Sequence, residues 1–237
     1  MRYLALIAAL GAAGGTVADD NIWSGNLELG YVSTGGNSET STLKSRADLK
    51  REVDSWRYQL HFDSLNSKEE EDRSAEKYFL TNKLDYKFSE RSYMFGYASY
   101  EDDRFSGFDW QTVLAAGYGH RLLETDTMTW DAEAGPGYRV SRIADADPGT
   151  DDYEREVILR AYTKYQWKLT DTATFEQELS SESGADNTIS RSITSLKTTI
   201  IAQLAMKLSY TIKYTENVPD ENVHMDTETA VTLVYAF

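Results

Sequence analysis

From Trp23 onward the chain alternates between apolar and polar positions in about twelve segments, each of roughly ten residues or more. A period of two is that of a β-strand, whose successive side chains point to opposite faces. The clearest segment sets Val157, Leu159, Ala161, Thr163, Tyr165 and Trp167 on one parity and Arg160, Tyr162, Lys164, Gln166 and Lys168 on the other. The last sets Thr229, Val231, Leu233, Tyr235 and Phe237 against Glu228, Thr232 and Val234. Tyr93, Phe95 and Tyr97 are assigned to the apolar face of the fifth segment, and Pro136, which lacks a donor, predicts a bulge or irregular pairing in the seventh.

Two regularities set the class. Connections alternate short and long: Asp54-Ser55, 89–92, 124–127, 170–172 and a turn near Gln203 are short, whereas 34–39, 66–74, 102–109, 142–152, 181–187 and 217–224 are long. The apolar parity also carries almost no charge, Arg51 and Glu101 near strand ends being the exceptions. An Arg or Lys on a lipid face costs about 2–4 kcal/mol at the bilayer midplane, so such purity is demanded of a membrane wall. A soluble sandwich, the alternative, tolerates more mixture because a second sheet packs that face. The expectation is an all-β fold: a transmembrane antiparallel up-and-down β-barrel of about twelve strands over residues 19–237.

An even strand count with both ends in the periplasm puts the short turns there and the long loops outside. Trp23, Trp56, Tyr93 and Trp130 then begin odd strands at the periplasmic rim, and Trp167 and Phe237 end even ones. These six are the expected membrane-interface aromatics. A chain that stops on Phe237 fits a closing strand anchored at that interface, and the expected partners are outer-membrane lipid, lipopolysaccharide and, through this last strand, the outer-membrane assembly machinery.

The start changes the picture of location. Met1-Arg2-Tyr3, an apolar run from Leu4 to Ala13 and small residues up to Ala18 predict a signal peptide over 1–18, and so export to the outer membrane of a Gram-negative cell. No run of eighteen apolar residues follows, so no helical span is expected. There is no Cys, which excludes disulfides and thiolate metal sites, and the formal net charge of −15 argues against a nucleic-acid partner.

Candidate chemistry is sparse. His120 lies on the outward parity of the sixth strand, but near the periplasmic rim, the wrong end for a barrel lipase; His61 points inward and His224 belongs to a loop. No Gly-x-Ser-x-Gly, HExxH or phosphate-loop pattern occurs, so no catalytic residue, cofactor or metal is expected. The acidic loops at Glu69–Asp72, Asp102-Asp103, Asp145 with Asp147, Asp151-Asp152 and Asp220-Glu221 lack calcium-loop spacing and read as solvated loops. The inward parity is the richer candidate. Arg46, Arg57, Lys83, Arg139, Arg160, Lys164, Lys197 and Lys213, with Glu133 and Glu176, are expected to line the lumen, either as a field suited to anions or as pairs that close the interior.

The opening run Trp23-Ser-Gly-Asn-Leu-Glu-Leu-Gly-Tyr-Val-Ser-Thr34, followed by Gly35-Gly36-Asn37 and hydroxyl residues, resembles the start of the salt-induced outer-membrane proteins, a family of uncharacterised function. Gly35-Gly36 stands where that family would have a single Gly before Asn37. The resemblance implies an outer-membrane location and a salt or osmotic context, and it brings no catalytic residues. The expected function is a non-enzymatic barrel of envelope integrity or salt stress with a narrow or plugged lumen. A porin-like small-solute channel is the alternative, and an outer-membrane enzyme of lipase type the remote one.

Overall fold

The computed structural model describes residues 23–34, 40–69, 72–103, 106–144, 152–218 and 223–237. The expected leader, the turn at 35–39 and most of the acidic loop residues lie outside them. Twelve strands run in order: β1 (Ser24–Thr34), β2 (Thr40–Val53), β3 (Trp56–Glu69), β4 (Asp72–Lys87), β5 (Ser92–Asp103), β6 (Phe108–Glu124), β7 (Met128–Ile143), β8 (Tyr153–Lys168), β9 (Ala173–Ser183), β10 (Thr188–Ile201), β11 (Leu204–Thr215) and β12 (Met225–Ala236). Each pairs antiparallel with its sequence neighbours, and β12 returns to β1 from Asn26↔Ala236 to Leu29↔Leu233, closing the barrel.

The wall is inverted relative to a water-soluble protein. Val157 and Leu159 are 70% and 59% exposed, whereas Arg160 and Arg139 are 4% and 1% exposed. Apolar side chains cover the outside and charged ones fill the inside, which lowers free energy only where the outside meets hydrocarbon. Trp23, Trp56, Phe88, Trp130, Trp167 and Phe237 stand exposed around the short-turn rim. Arg51, charged on the apolar parity, sits 5.5 Å over the Trp23 ring at that edge. A second set lies on the long-loop side: Trp110 lies between Tyr100 and Tyr153, with centroids 6.4 and 6.0 Å away, and Tyr31 and Tyr78 are exposed toward the long-loop ends of their strands. Two aromatic girdles flanking an apolar band are what two membrane interfaces require.

Four expectations need correction. Tyr93 is not an interface aromatic: it is 4% exposed and turned inward with Phe95 and Tyr97, while Met94, Gly96, Ala98 and Tyr100 form the outer face of β5. The residue across the ladder from Tyr93 is Gly119, and a Cβ there would come within 2.2 Å of the Tyr93 ring, so the missing side chain makes the room. Tyr93, Phe95, Val113, Ala115 and Ile158 then build a small apolar core inside the barrel. Glu101 shares their parity and faces inward too, so it is no exception to the uncharged outer wall.

The stretch 66–74 is not a long loop, because β3 runs to Glu69 and β4 starts at Asp72. Beyond the bilayer neither face of a strand has to be apolar, so charge there does not mark the strand end. The connection 184–187 is likewise short. At Pro136 the second of the two expected outcomes, irregular pairing without a bulge, is what the structure has. The β6–β7 ladder lapses between Ala115↔Gly137 and Tyr118↔Ala134 and resumes in the same register, while β8 pairs Leu159 with Pro136 throughout.

At that lapse the backbones close up. A Cβ on Gly135 would collide with the Ala116 carbonyl oxygen and the Gly117 Cα, neither of which can rotate away. Gly135→Val is therefore expected to destabilise the barrel by roughly 1–3 kcal/mol, the usual cost of overpacking. Urea unfolding from lipid vesicles measures it, and an unchanged midpoint would remove the close approach from the account.

Candidate functional site

Inside the barrel the described side chains divide into an open half and a filled half. The open half is a cavity of about 570 Å³ that reaches from the short-turn rim (Ser24, Lys50, Thr174, Ala236) to the middle of the barrel (Phe79, Tyr97, Arg191). Its size is that of a small-solute site. Nine Lys and Arg line it with six Asp and Glu.

Most of these charges are paired along the ladders that place them. Arg46 on β2 meets Asp63 on β3 at 2.9 Å, as their register Arg46↔Asp63 dictates. Arg57 meets Asp85 at 2.6 Å across Arg57↔Asp85, and its guanidinium lies 4.7 Å over the Tyr93 ring. Lys164 on β8 bridges Glu176 and Glu178 on β9 at 3.0 and 2.8 Å. Lys207 on β11 reaches past β12 to Glu28 on β1 at 2.9 Å. Other contacts cross the interior rather than the ladder. Glu133 on β7 accepts from Lys83 on β4 and from the Tyr93 hydroxyl on β5 at 2.8 Å, as well as from Arg160 on the neighbouring β8 at 3.4 Å. Arg160 itself is stacked on Tyr97, with Cζ 3.9 Å from the ring centroid.

The filled half lies toward the long loops. Glu101 on β5 receives Lys77 at 3.1 Å from the neighbouring strand, and Lys213 and Arg191, each at 2.9 Å, from β11 and β10 on the far side of the barrel. Strands that are not neighbours in the sheet meet only where side chains span the lumen. Beside this cluster Arg139 pairs with Glu156 and donates to the carbonyl oxygens of Asn187 and Glu182 at 2.6 and 3.3 Å. Glu156 in turn accepts the backbone N–H of Asp186 at 3.1 Å and of Asn187 at 3.3 Å, lacing the β9–β10 turn over the mouth. A space of about 30 Å³ between Phe79, Glu101, Arg139 and Arg191 remains, room for about one water.

The sequence grouped its lumen residues together; the structure separates them. Arg46, Arg57, Lys83, Glu133, Arg160, Lys164, Glu176 and Lys197 line the cavity, whereas Arg139 and Lys213 belong to the filled half. Lys77, Arg191, Lys207 and Glu182 were not singled out from the sequence. Extending the parity of Lys197 along β10 by six residues reaches Arg191, so a longer reading of that alternation finds it. The structure also brings Ser92 to His120: Oγ lies 3.0 Å from Nδ1 on the outer wall, with the Tyr118 hydroxyl 3.2 Å from the same nitrogen. A hydrolytic serine needs its histidine oriented through the other ring nitrogen by a third group. Among the described residues no carboxylate contacts this ring, so the trio reads as an interfacial anchor.

Residues 27–237 match the model of a family described as protein of unknown function, DUF481. An uncharacterized protein of Escherichia coli (strain K12), YdiY, is 29% identical over 227 residues, 93% of this chain and 88% of that protein. Among solved structures, the translocator domain of the autotransporter NalP from Neisseria meningitidis superposes with a TM-score of 0.52 at 11% identity, covering 91% of this chain and 87% of that one. The COG4313 outer membrane channel from Pseudomonas putida F1 gives 0.52 at 11% identity, over 94% of this chain and 100% of that one. At such identity the likeness is one of fold, and the fold is that of an outer-membrane barrel.

Proposed function

We propose, for a chain that belongs to the DUF481 family of proteins of unknown function, that it is a non-enzymatic barrel of the outer membrane that is closed at rest and serves envelope integrity under salt or osmotic stress. The observation that carries the closed state is Glu101, held at once by Lys77, Arg191 and Lys213 across the interior. Three cations around one buried carboxylate, backed by the Arg139–Glu156 pair, replace the water column that an open pore needs. The outer-membrane location is supported by the apolar band between two aromatic girdles. The stress context is supported by the resemblance of the opening strand to the salt-induced outer-membrane proteins.

The cavity favours a second reading, a restricted solute channel whose Glu101 cluster is a gate, and the translocator and channel with the same fold are compatible with it. Conductance of the purified protein in planar bilayers separates the two. The closed barrel is expected to give no steady open level at moderate voltage, and its deletion to reduce growth at high salt. A large, steady conductance of the native protein would decide for the channel.

A further inference from the structure

One cation of the cavity stands apart. Lys197 on β10 makes no ion pair with any described residue, although it lines the cavity. Its partner across the ladder is Lys207 on β11, Lys197↔Lys207. Like charges directly opposite repel and destabilise a sheet, so the pair costs stability as long as nothing negative lies between them.

The acids within reach are already engaged, Asp48 by His61 at 2.6 Å. Glu28 accepts from Lys207 at 2.9 Å and from the Thr232 hydroxyl at 3.2 Å. Glu176, across the ladder from Ser195, is held by Lys164 at 3.0 Å and by Gln166 at 2.5 Å. What remains at this wall is a set of donors: the Lys197 ammonium, the far side of the Lys207 ammonium and the hydroxyl of Thr174, which pairs across the ladder with Lys197. The wall lies at the short-turn rim, where the cavity opens, and not against the filled half.

We infer that Lys197 and Lys207 form a binding site for the oxyanion of a small solute, a phosphate or carboxylate group, that enters the barrel from the short-turn side. The anion lies between the two ammonium groups, relieves their repulsion and accepts charge-assisted hydrogen bonds from both. The rest of the solute occupies the polar cavity beyond, against Gln59, Gln166 and the face of Tyr162. The inference goes beyond the closed-barrel reading and does not depend on it, since binding from one side needs no passage through the Glu101 cluster.

The test uses the full barrel in maltoside micelles, whose headgroups carry no charge, at constant ionic strength. Glucose 6-phosphate is the probe and glucose, the same skeleton without the anion, its control; calorimetric titration reads both. Saturable binding of glucose 6-phosphate below about 1 mM, none of glucose, and about a tenfold loss in Lys197→Gln are the expected results, one charge-assisted contact being worth about that factor. Lys87→Gln removes an equal charge at the same rim from a residue paired with Glu52 outside the cavity, and is expected to leave binding unchanged. Because Lys197 has no ion-pair partner to strand, its replacement is expected to fold, which heat-modifiable gel migration verifies. Absence of saturable binding by the native barrel, or equal loss in the Lys197 and Lys87 variants, would overturn the site.

Discussion

Leu159→Arg is expected to block insertion of the barrel into bilayers, while Arg160→Leu, one residue along the same strand, is expected to be tolerated. Leu159 is 59% exposed on the outer wall, near the middle of β8. A guanidinium there faces hydrocarbon, at about 2–4 kcal/mol for a midplane position. Arg160 faces inward, and its loss leaves Glu133 with Lys83 and the Tyr93 hydroxyl as partners. The leucine enters a sector already lined by Phe95, Tyr97 and Ile158, and because Glu133 keeps Lys83 as a counter-charge the change strands no buried carboxylate. The fraction of refolded protein that enters lipid vesicles, read by its heat-modifiable migration, measures both variants. Equal yields would reject the assignment of inner and outer faces, and with it the membrane reading of the wall.

Glu101→Gln is expected to be the most damaging single change inside the barrel. It removes one carboxylate and leaves Lys77, Arg191 and Lys213 facing one another, with Asp103, 3.3 Å from the Lys77 ammonium, as the acid still ion-paired to one of them among the described residues. Stranding buried charges in this way costs about 3–5 kcal/mol. The urea midpoint should fall accordingly, and channel openings absent from the native protein should appear in planar bilayers as the cations repel. Adding Lys213→Met to the same chain removes one of the stranded charges and should restore part of the stability. A variant as stable and as silent as the native barrel would show that the cluster neither holds the fold nor closes the lumen.

How far the sequence could be read depended on where charge lay. On β8 Arg160, Lys164 and Lys168 mark one parity, so both faces were legible. On β5 neither parity carries a charge from Tyr93 to Tyr100, and three aromatic residues imitate a lipid face. Glu101 is the first charge on the true parity, and it stands too near the strand end to set the pattern. The inward turn of Tyr93 depends on Gly119, a residue twenty-six positions away that only the β5–β6 pairing brings opposite. The loop at 66–74 failed for a related reason: outside the bilayer, polar residues suit a ladder and a turn equally, so composition marks the membrane's edge and not the strand's.

By itself the sequence determined the class of the protein, its twelve strands, the inner and outer parity of most of them and the aromatic rim on the short-turn side. Each of these follows from alternation and from the cost of charge in hydrocarbon, which act residue by residue along one strand. Only the tertiary structure decided that the lumen is half cavity and half filled. Glu101 meets Lys213 across 112 positions of sequence and Lys44 meets Glu228 across 184, and no local pattern encodes which cation reaches which acid. It decided too that Lys197 faces another lysine, because register is set by the pairing of whole strands. Parity is a property of one strand, whereas partners are a property of the closed barrel.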